Sequence, residues 1–254
     1  MKLEKIEWQG YDGVSFSFEG RACRLIKPKC APNGKWALKT EYGDAFPATE
    51  VEMLSRGWHV AFQSNVTRWA TKEDIAQKAR FISFVAEEFD LPARVSTVGM
   101  SCGGLIATTL AETYPELVDV LYIDAPVLNL ASCPCAFGVA PGRTYEEFRR
   151  ATGLSKTDML SYRDHPIDKM HVLLENDIPV VMVSGDSDTV VPYAENGALL
   201  EKYYKENGGR IWVAIKPEGD HHPHGLVGYE GLVADMIELY SRQNQEKNKT
   251  APNE

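Results

Sequence analysis

Val95-Ser96-Thr97-Val98-Gly99-Met100-Ser101-Cys102-Gly103-Gly104 is an apolar run that breaks at a serine flanked by glycines. Arg94 to Val98 reads as a strand, and Cys102 to Thr113 after it reads as a helix. Gly99-x-Ser101-x-Gly103 is then an elbow between the two, tight enough to force strained dihedrals on Ser101. Small residues two positions either side of the serine let strand and helix pass closely. The next N–H, from Cys102, stands at a helix N-terminus, where negative charge is stabilised. A hydroxyl presented in this way is a candidate nucleophile.

Working outward, strands and helices alternate on both sides of the elbow. Upstream, Trp58 to Gln63 reads as a strand, and Ile75, Ala79, Ile82, Val85, Ala86 and Phe89 fall at helical spacing within residues 71–89. Residues 47–56 form a further helix stopped by Gly57. Downstream, the pattern predicts strand Val118–Ile123, strand Val180–Ser184, helix Tyr193–Asn207, strand Ile211–Ile215 and helix Leu226–Arg242. The first residues differ. Ile6, Trp8, Val14, Phe16 and Phe18 alternate with polar residues around a turn at Tyr11-Asp12-Gly13, Cys23 to Lys27 is a further strand, and Cys30 to Tyr42 reads as a loop. The expectation is an α/β fold: a doubly wound, mostly parallel sheet of about eight strands with antiparallel N-terminal strands. A single domain would occupy residues 1–242. Residues 127–172, with Cys133-Pro134-Cys135 and Pro141-Gly142, interrupt the rhythm and read as an inserted cap. Residues 243–254 read as a polar, frayed tail. In such sheets ligands sit at the C-terminal ends of the strands.

A serine nucleophile needs a base, and the base an orienting acid, in the chain order Ser, Asp or Glu, His. After Val180–Ser184 comes Gly185-Asp186-Ser187-Asp188. Asp188 is the favoured acid. Asp186 suits a turn or helix cap, and Asp124 in Tyr122-Ile123-Asp124-Ala125-Pro126 is the rival one strand earlier. After Ile211–Ile215 comes Gly219-Asp220-His221-His222-Pro223-His224, which holds three of the six histidines. His221 is the favoured base and His222 its alternative. His222 should pack beside the elbow, and His224 should be structural, near the start of the last helix. Clustered histidines can hold zinc, but neighbouring His221 and His222 point apart unless the backbone bends, and no His-Glu-x-x-His helix is present. No metal and no cofactor are expected.

Composition narrows the alternatives. Hydrophobic residues make up 44% and charged residues 25% of the 254 positions, which is ordinary globular usage, and the net charge of −9 lacks the footprint of a nucleic-acid binder. Five cysteines, an odd number in a chain of this size, read as reduced thiols and suit a cytoplasmic protein. Nothing reads as a signal peptide or a membrane span.

The GMSCGG elbow, GDSDTVVP and GDHHPHG, in that order and each after a strand, resemble the α/β-hydrolase fold superfamily. More narrowly, PEGDHHPHGL, YIDAPV and the early PKCAPNGKW, LSRGWHV and SN pieces are similar to a bacterial group of small serine hydrolases and esterases. The resemblance covers residues 13–242. It implies Ser101 as nucleophile, Asp188 as acid and a histidine of the HHPH run as base. It implies hydrolysis of a small or carbohydrate ester through an acyl-enzyme, with a peptidase or amidase, or a non-catalytic binder of the same fold, as alternatives. The family's His-Gly oxyanion signature is replaced by Pro28-Lys29-Cys30-Ala31. The expected oxyanion donors are therefore the N–H of Cys102 and one from the loop Cys30–Trp36. Trp36, Arg68, Trp69, Cys133 and Phe137 are candidate pocket residues.

Overall fold

A computed structural model describes residues 2–250. Three N-terminal strands, β1 (Glu4–Trp8), β2 (Tyr11–Phe18) and β3 (Arg21–Ile26), run antiparallel. Their two hairpins turn on Gln9-Gly10 and Glu19-Gly20, all four residues at positive φ. Two-residue turns of this kind match the strand twist. The first turn is therefore Gln9-Gly10, and Tyr11-Asp12-Gly13, expected as the turn, lies inside β2.

Next come β4 (Trp36–Lys39), α1 (Ala48–Ser55), β5 (His59–Gln63), α2 (Lys72–Glu88), β6 (Val95–Met100), α3 (Cys102–Thr113) and β7 (Val118–Asp124). After an excursion containing α4 (Tyr145–Thr152), α5 (Lys156–Met159) and α6 (Met170–Glu175), the chain returns as β8 (Val180–Gly185), α7 (Gly197–Glu206), β9 (Ile211–Lys216) and α8 (Glu230–Thr250). Among the described residues these nine strands form one sheet in the order β1-β2-β3-β5-β4-β6-β7-β8-β9, parallel from β5 to β9. β4 was not expected. The stretch from Cys30 to Tyr42, which reads as a loop in the sequence, contains a fully buried central strand, whose Lys39 is as enclosed as its neighbours.

The sheet is doubly wound because its strands are apolar on both faces. Val118, Leu121 and Ile123 of β7 and Val180 and Met182 of β8 meet α2, α3, α6 and α7 through Ile82, Ile106, Leu110, Leu173 and Leu200. Val120, Tyr122, Val181 and Val183 point the other way, onto Met53 of α1 and Val233, Ala234 and Ile237 of α8. Strands buried on both faces read as continuous apolar runs, as β6, β7 and β8 do.

α8 starts four residues later than expected and runs on through most of the polar stretch 243–254; residues 251–254 lie outside the described residues. Polar anchors hold this extension. Asn244 donates to the Asp119 carbonyl at 2.7 Å and accepts from Arg210 at 2.7 Å, and Lys247 pairs with Asp177.

The excursion between β7 and β8 gathers its own small core, with Cys133, Cys135, Phe148 and Met159 packed on Trp69, Cys102 and Val191. It is moored to the sheet edge by buried Asn196, whose Oδ1 accepts from the N–H groups of Leu128 and Asn129 at 3.0 and 2.9 Å. On its other side Glu147 of α4 takes hydrogen bonds from Arg68 at 2.8 Å and from the Trp69 indole at 3.0 Å. The Arg68 hydrogen bonds hold the Glu147 carboxyl below the usual carboxylate range.

Candidate active site

Ser101 sits at the tip of the turn from β6 to α3 with φ 53° and ψ −118°. Such dihedrals cost a non-glycine residue of order 1–3 kcal/mol and persist only where the surroundings enforce them. Here the Ser101 N–H donates to the Asp124 carbonyl at 2.9 Å, and the Ser101 carbonyl accepts from Gly104 and Val127 at 2.9 and 3.1 Å. A Cβ on Gly99 would lie 2.4 Å from the Gly103 carbonyl oxygen, and one on Gly104 would lie 2.5 Å from Pro126. The glycines around the serine are thus required by the crossing of strand and helix. Cys102 N–H, at the first position of α3, has no acceptor within the helix.

The loops after β8 and β9 bring two more groups to the serine. His221 Nε2 lies 3.1 Å from Ser101 Oγ, and His221 Nδ1 lies 2.8 Å from Asp188 Oδ2. The other oxygen of Asp188 accepts from the N–H groups of Val190 and Val191, both at 2.8 Å. That carboxylate is therefore fixed as an acceptor, which makes Nδ1 the protonated ring nitrogen and leaves the Nε2 lone pair for the serine hydroxyl. His221 and Asp188 are both buried.

The two loops are locked together in turn. Asp220 Oδ1 accepts from the N–H of Thr189 at 3.1 Å and from its neighbour His221 at 2.8 Å. These backbone hydrogen bonds, from His221 first and Thr189 next, hold the Asp220 carboxyl below its ordinary value. Below them Gly185 and Gly219 approach so closely that a Cβ on Gly185 would lie 2.0 Å from the Gly219 carbonyl oxygen. Asp220 has no assigned role in the sequence reading; its place directly before a candidate base is the signal that points to it.

The remaining candidates fall elsewhere. Asp186 is an exposed turn residue that accepts from Ser187. Asp124 pairs with His224, Oδ1 to Nδ1 at 2.7 Å, and its second oxygen accepts from Gly225 N–H at 2.6 Å. His224 is buried in this pair, ahead of α8. His222 is exposed, stacks on Phe46 at 5.3 Å between centroids and lines the same cavity as Ser101. Burial, and then the neighbouring imidazoles of His221 and His224, lower its pKa.

A cavity of about 260 Å³ opens over Ser101, lined by Tyr42, Phe46, Cys102, Val127, Cys133 and Val191 among others. Of the expected pocket residues, Arg68 and Cys133 line it. Trp69 is buried in the excursion's core, and Phe137 is exposed away from it. Trp36 and the loop before it are at the wrong end of the molecule. The Trp36 indole donates to the Pro92 carbonyl, and Gly34, Lys35 and Trp36 border a different cavity with Arg94 and Asp119, at the N-terminal ends of the parallel strands. The loop Cys30–Trp36 cannot supply an oxyanion donor, because β4 separates it from Ser101. The segment beside the elbow is the one leaving β4: Thr40 Oγ1 donates to the Gly103 carbonyl at 2.7 Å, and Tyr42, with φ 53°, borders the cavity. A second, larger groove of about 820 Å³ begins at Arg68 and is lined by polar groups including Asn65, Thr67, Glu147 and Arg150.

A mixed sheet with antiparallel N-terminal strands, helices on both faces and a serine elbow after a central parallel strand is the α/β-hydrolase fold. Solved structures of that fold superpose on the chain. Pyrococcus horikoshii acylaminoacyl peptidase does so with a TM-score of 0.64 at 15% identity, over 94% of this chain and 40% of that one. Est1E from Butyrivibrio proteoclasticus gives 0.61 at 14% identity, over 90% and 98%. A truncated carbohydrate esterase from gut microbiota gives 0.67 at 16% identity, over 91% and 93%. The chain thus spans about two fifths of the peptidase and nearly all of the two esterases. No curated protein matches at the level of sequence. Residues 53–235 match the prolyl oligopeptidase family (Peptidase_S9), and the chain belongs to that family.

Proposed function

We propose that the protein is a serine hydrolase that cleaves a carboxylic ester through an acyl-enzyme. The observation that carries this reading is the continuous relay from Asp188 Oδ2 through both nitrogens of His221 to Ser101 Oγ, on the floor of a cavity. Ser101 attacks the acyl carbon as His221 Nε2 takes its proton. The imidazolium that forms is stabilised by Asp188 and gives the proton to the leaving alcohol. Water then repeats the sequence on the acyl-enzyme. The oxyanion is held by Cys102 N–H and by an N–H of the Glu41–Tyr42 segment, each such donor lowering the barrier by about 3–4 kcal/mol. The excursion between β7 and β8 acts as a cap over the acyl pocket.

The apolar wall of Val127, Val190 and Val191 suits a small acyl group, and the polar groove reached past Arg68 suits a hydroxyl-rich alcohol such as a sugar. The esterases that the chain covers almost end to end support ester cleavage. The family itself supports a second reading, peptide or amide cleavage by the same residues. Acyl esters of p-nitrophenol and acetylated sugars, set beside aminoacyl p-nitroanilides, separate the two. The ester reading expects turnover of short acyl esters with kcat/KM at least a hundredfold above any anilide. Anilide turnover equal to or above that of the esters would replace it with the peptidase reading.

A further inference from the structure

Three imidazoles crowd the mouth of the cavity, and the proposed reaction uses only one. The rings of His221, His222 and His224 lie edge to face, with centroids 4.8 to 4.9 Å apart, and all three border the cavity. One nitrogen from each can be chosen so that the three lie within 4.8 Å of one another. Two of the rings are backed by carboxylates through Nδ1, His221 by Asp188 and His224 by Asp124. This is how metal-ligating histidines are held: a carboxylate on one nitrogen fixes the tautomer and presents the other as a basic lone pair. The third ring, His222, is exposed and stacked on one face only, so it can swing.

From this we infer that His221, His222 and His224 form an inhibitory site for a borderline divalent transition metal such as Zn2+. Zinc bonds imidazole nitrogen at about 2.0–2.1 Å, and sites with three protein ligands leave a fourth position for water or another small ligand. Closing on the ion draws the nitrogens inward by roughly 1–1.5 Å from their present spread, a movement the exposed His222 supplies. The fourth position would face the cavity. The site opposes activity rather than serving it. The Nε2 lone pair of His221 that would bind the metal is the one that accepts the Ser101 hydroxyl at 3.1 Å, and a nitrogen bound to zinc takes no proton. Hard cations such as Mg2+, which prefer oxygen ligands, have no purchase on three imidazoles. Metal binding stands without the proposed reaction; inhibition rests on it.

Zinc chloride is the probe, on the full chain, with two readouts. Calorimetry should find one zinc per chain and no comparable magnesium binding. His222→Gln and His224→Gln should each weaken zinc at least about tenfold, the loss usual for disturbing even an outer-shell partner. Where the His224 variant fails to fold, the exposed His222 variant carries the test. Zinc should also slow fluorophosphonate labelling of the wild type, EDTA should restore it, and His222→Gln should lose that protection. No zinc binding at millimolar concentration, binding unchanged in the variants, or zinc bound with labelling unaffected would each overturn the inference. A chain that binds zinc through these histidines but never labels, with or without metal, would leave the site standing and remove the proposed reaction.

Discussion

Two aspartate–histidine pairs lie within one ring contact of each other, and only one reaches the serine. Asp188 is fixed by two N–H groups on one oxygen and by His221 on the other. Asp124 instead ties the end of β7 to His224 and Gly225. Asp188→Asn should therefore lower kcat about ten-thousandfold with the fold intact, because an amide favours the wrong imidazole tautomer. Asp124→Asn should cost about 1–3 kcal/mol of stability, the penalty for unpairing a buried group, and keep far more turnover. Thermal melts beside steady-state kinetics check both. An Asp124 variant that melts normally yet loses as much turnover as the Asp188 variant would exchange their roles. The meeting of Ser101, Asp188 and His221 is legible in the sequence because chain order and position after a strand constrain them. The choice between His221 and His222 was weaker in sequence, since adjacent residues share every local signal. The bond from Asp220 to Thr189 was invisible there, because it joins loops 31 positions apart.

β4 shows what periodicity does not detect. The strands β6, β7 and β8 announce themselves by apolar runs, whereas Trp36-Ala37-Leu38-Lys39 is short, lacks β-branched residues and ends in a charge. A charged residue normally argues against a central strand. Lys39 is tolerated because its ammonium is enclosed by partners: it pairs with buried Glu50 of α1 and lies 3.2 Å from the Ala45 carbonyl and 3.3 Å from Met100 Sδ. Removing one member of such a pair strands the other, at a cost of about 3–5 kcal/mol, whereas replacing both by apolar residues is often neutral or stabilising. Lys39→Ala should thus destabilise the protein by that amount, and Lys39→Met combined with Glu50→Leu should recover most of it. Urea unfolding of the three proteins measures this. A Lys39→Ala loss below 1 kcal/mol would mean that the pair does not hold β4 against α1. The loop Cys30–Trp36 precedes this strand and so lies at its N-terminal end, opposite the end at which Ser101 sits, which is why it is no source of an oxyanion donor.

At the scale of the whole molecule, the doubly wound sheet was legible because its strands bury both faces, while the polar anchoring of the α8 extension was not, since Asn244 and Lys247 carry no periodic signal. The sheet also buries the ammonium of Lys78 of α2, which donates to the Gln63 carbonyl at 3.1 Å. Burial above all lowers its pKa from 10.5 to about 8, against the opposing pull of Glu41 and Asp74. Between pH 8 and 10.5 the unfolded chain holds a proton that the folded chain has released, so raising the pH through that window adds stability from this group. The difference in stability between the wild type and Lys78→Met should therefore move in favour of the wild type from pH 8 to 10. A difference independent of pH would show that Lys78 is not perturbed. No helix among the described residues is long and apolar enough to cross a membrane. Ser101 is proposed as a nucleophile activated by His221 and Asp188. Intact-mass analysis after treatment with a fluorophosphonate tests it most directly. One adduct per chain is expected, mapped by fragmentation to Ser101, fast in the wild type, slowed by orders of magnitude in Asp188→Asn and absent in Ser101→Ala. An unlabelled wild type, or an adduct on another residue that persists in Ser101→Ala, would contradict it.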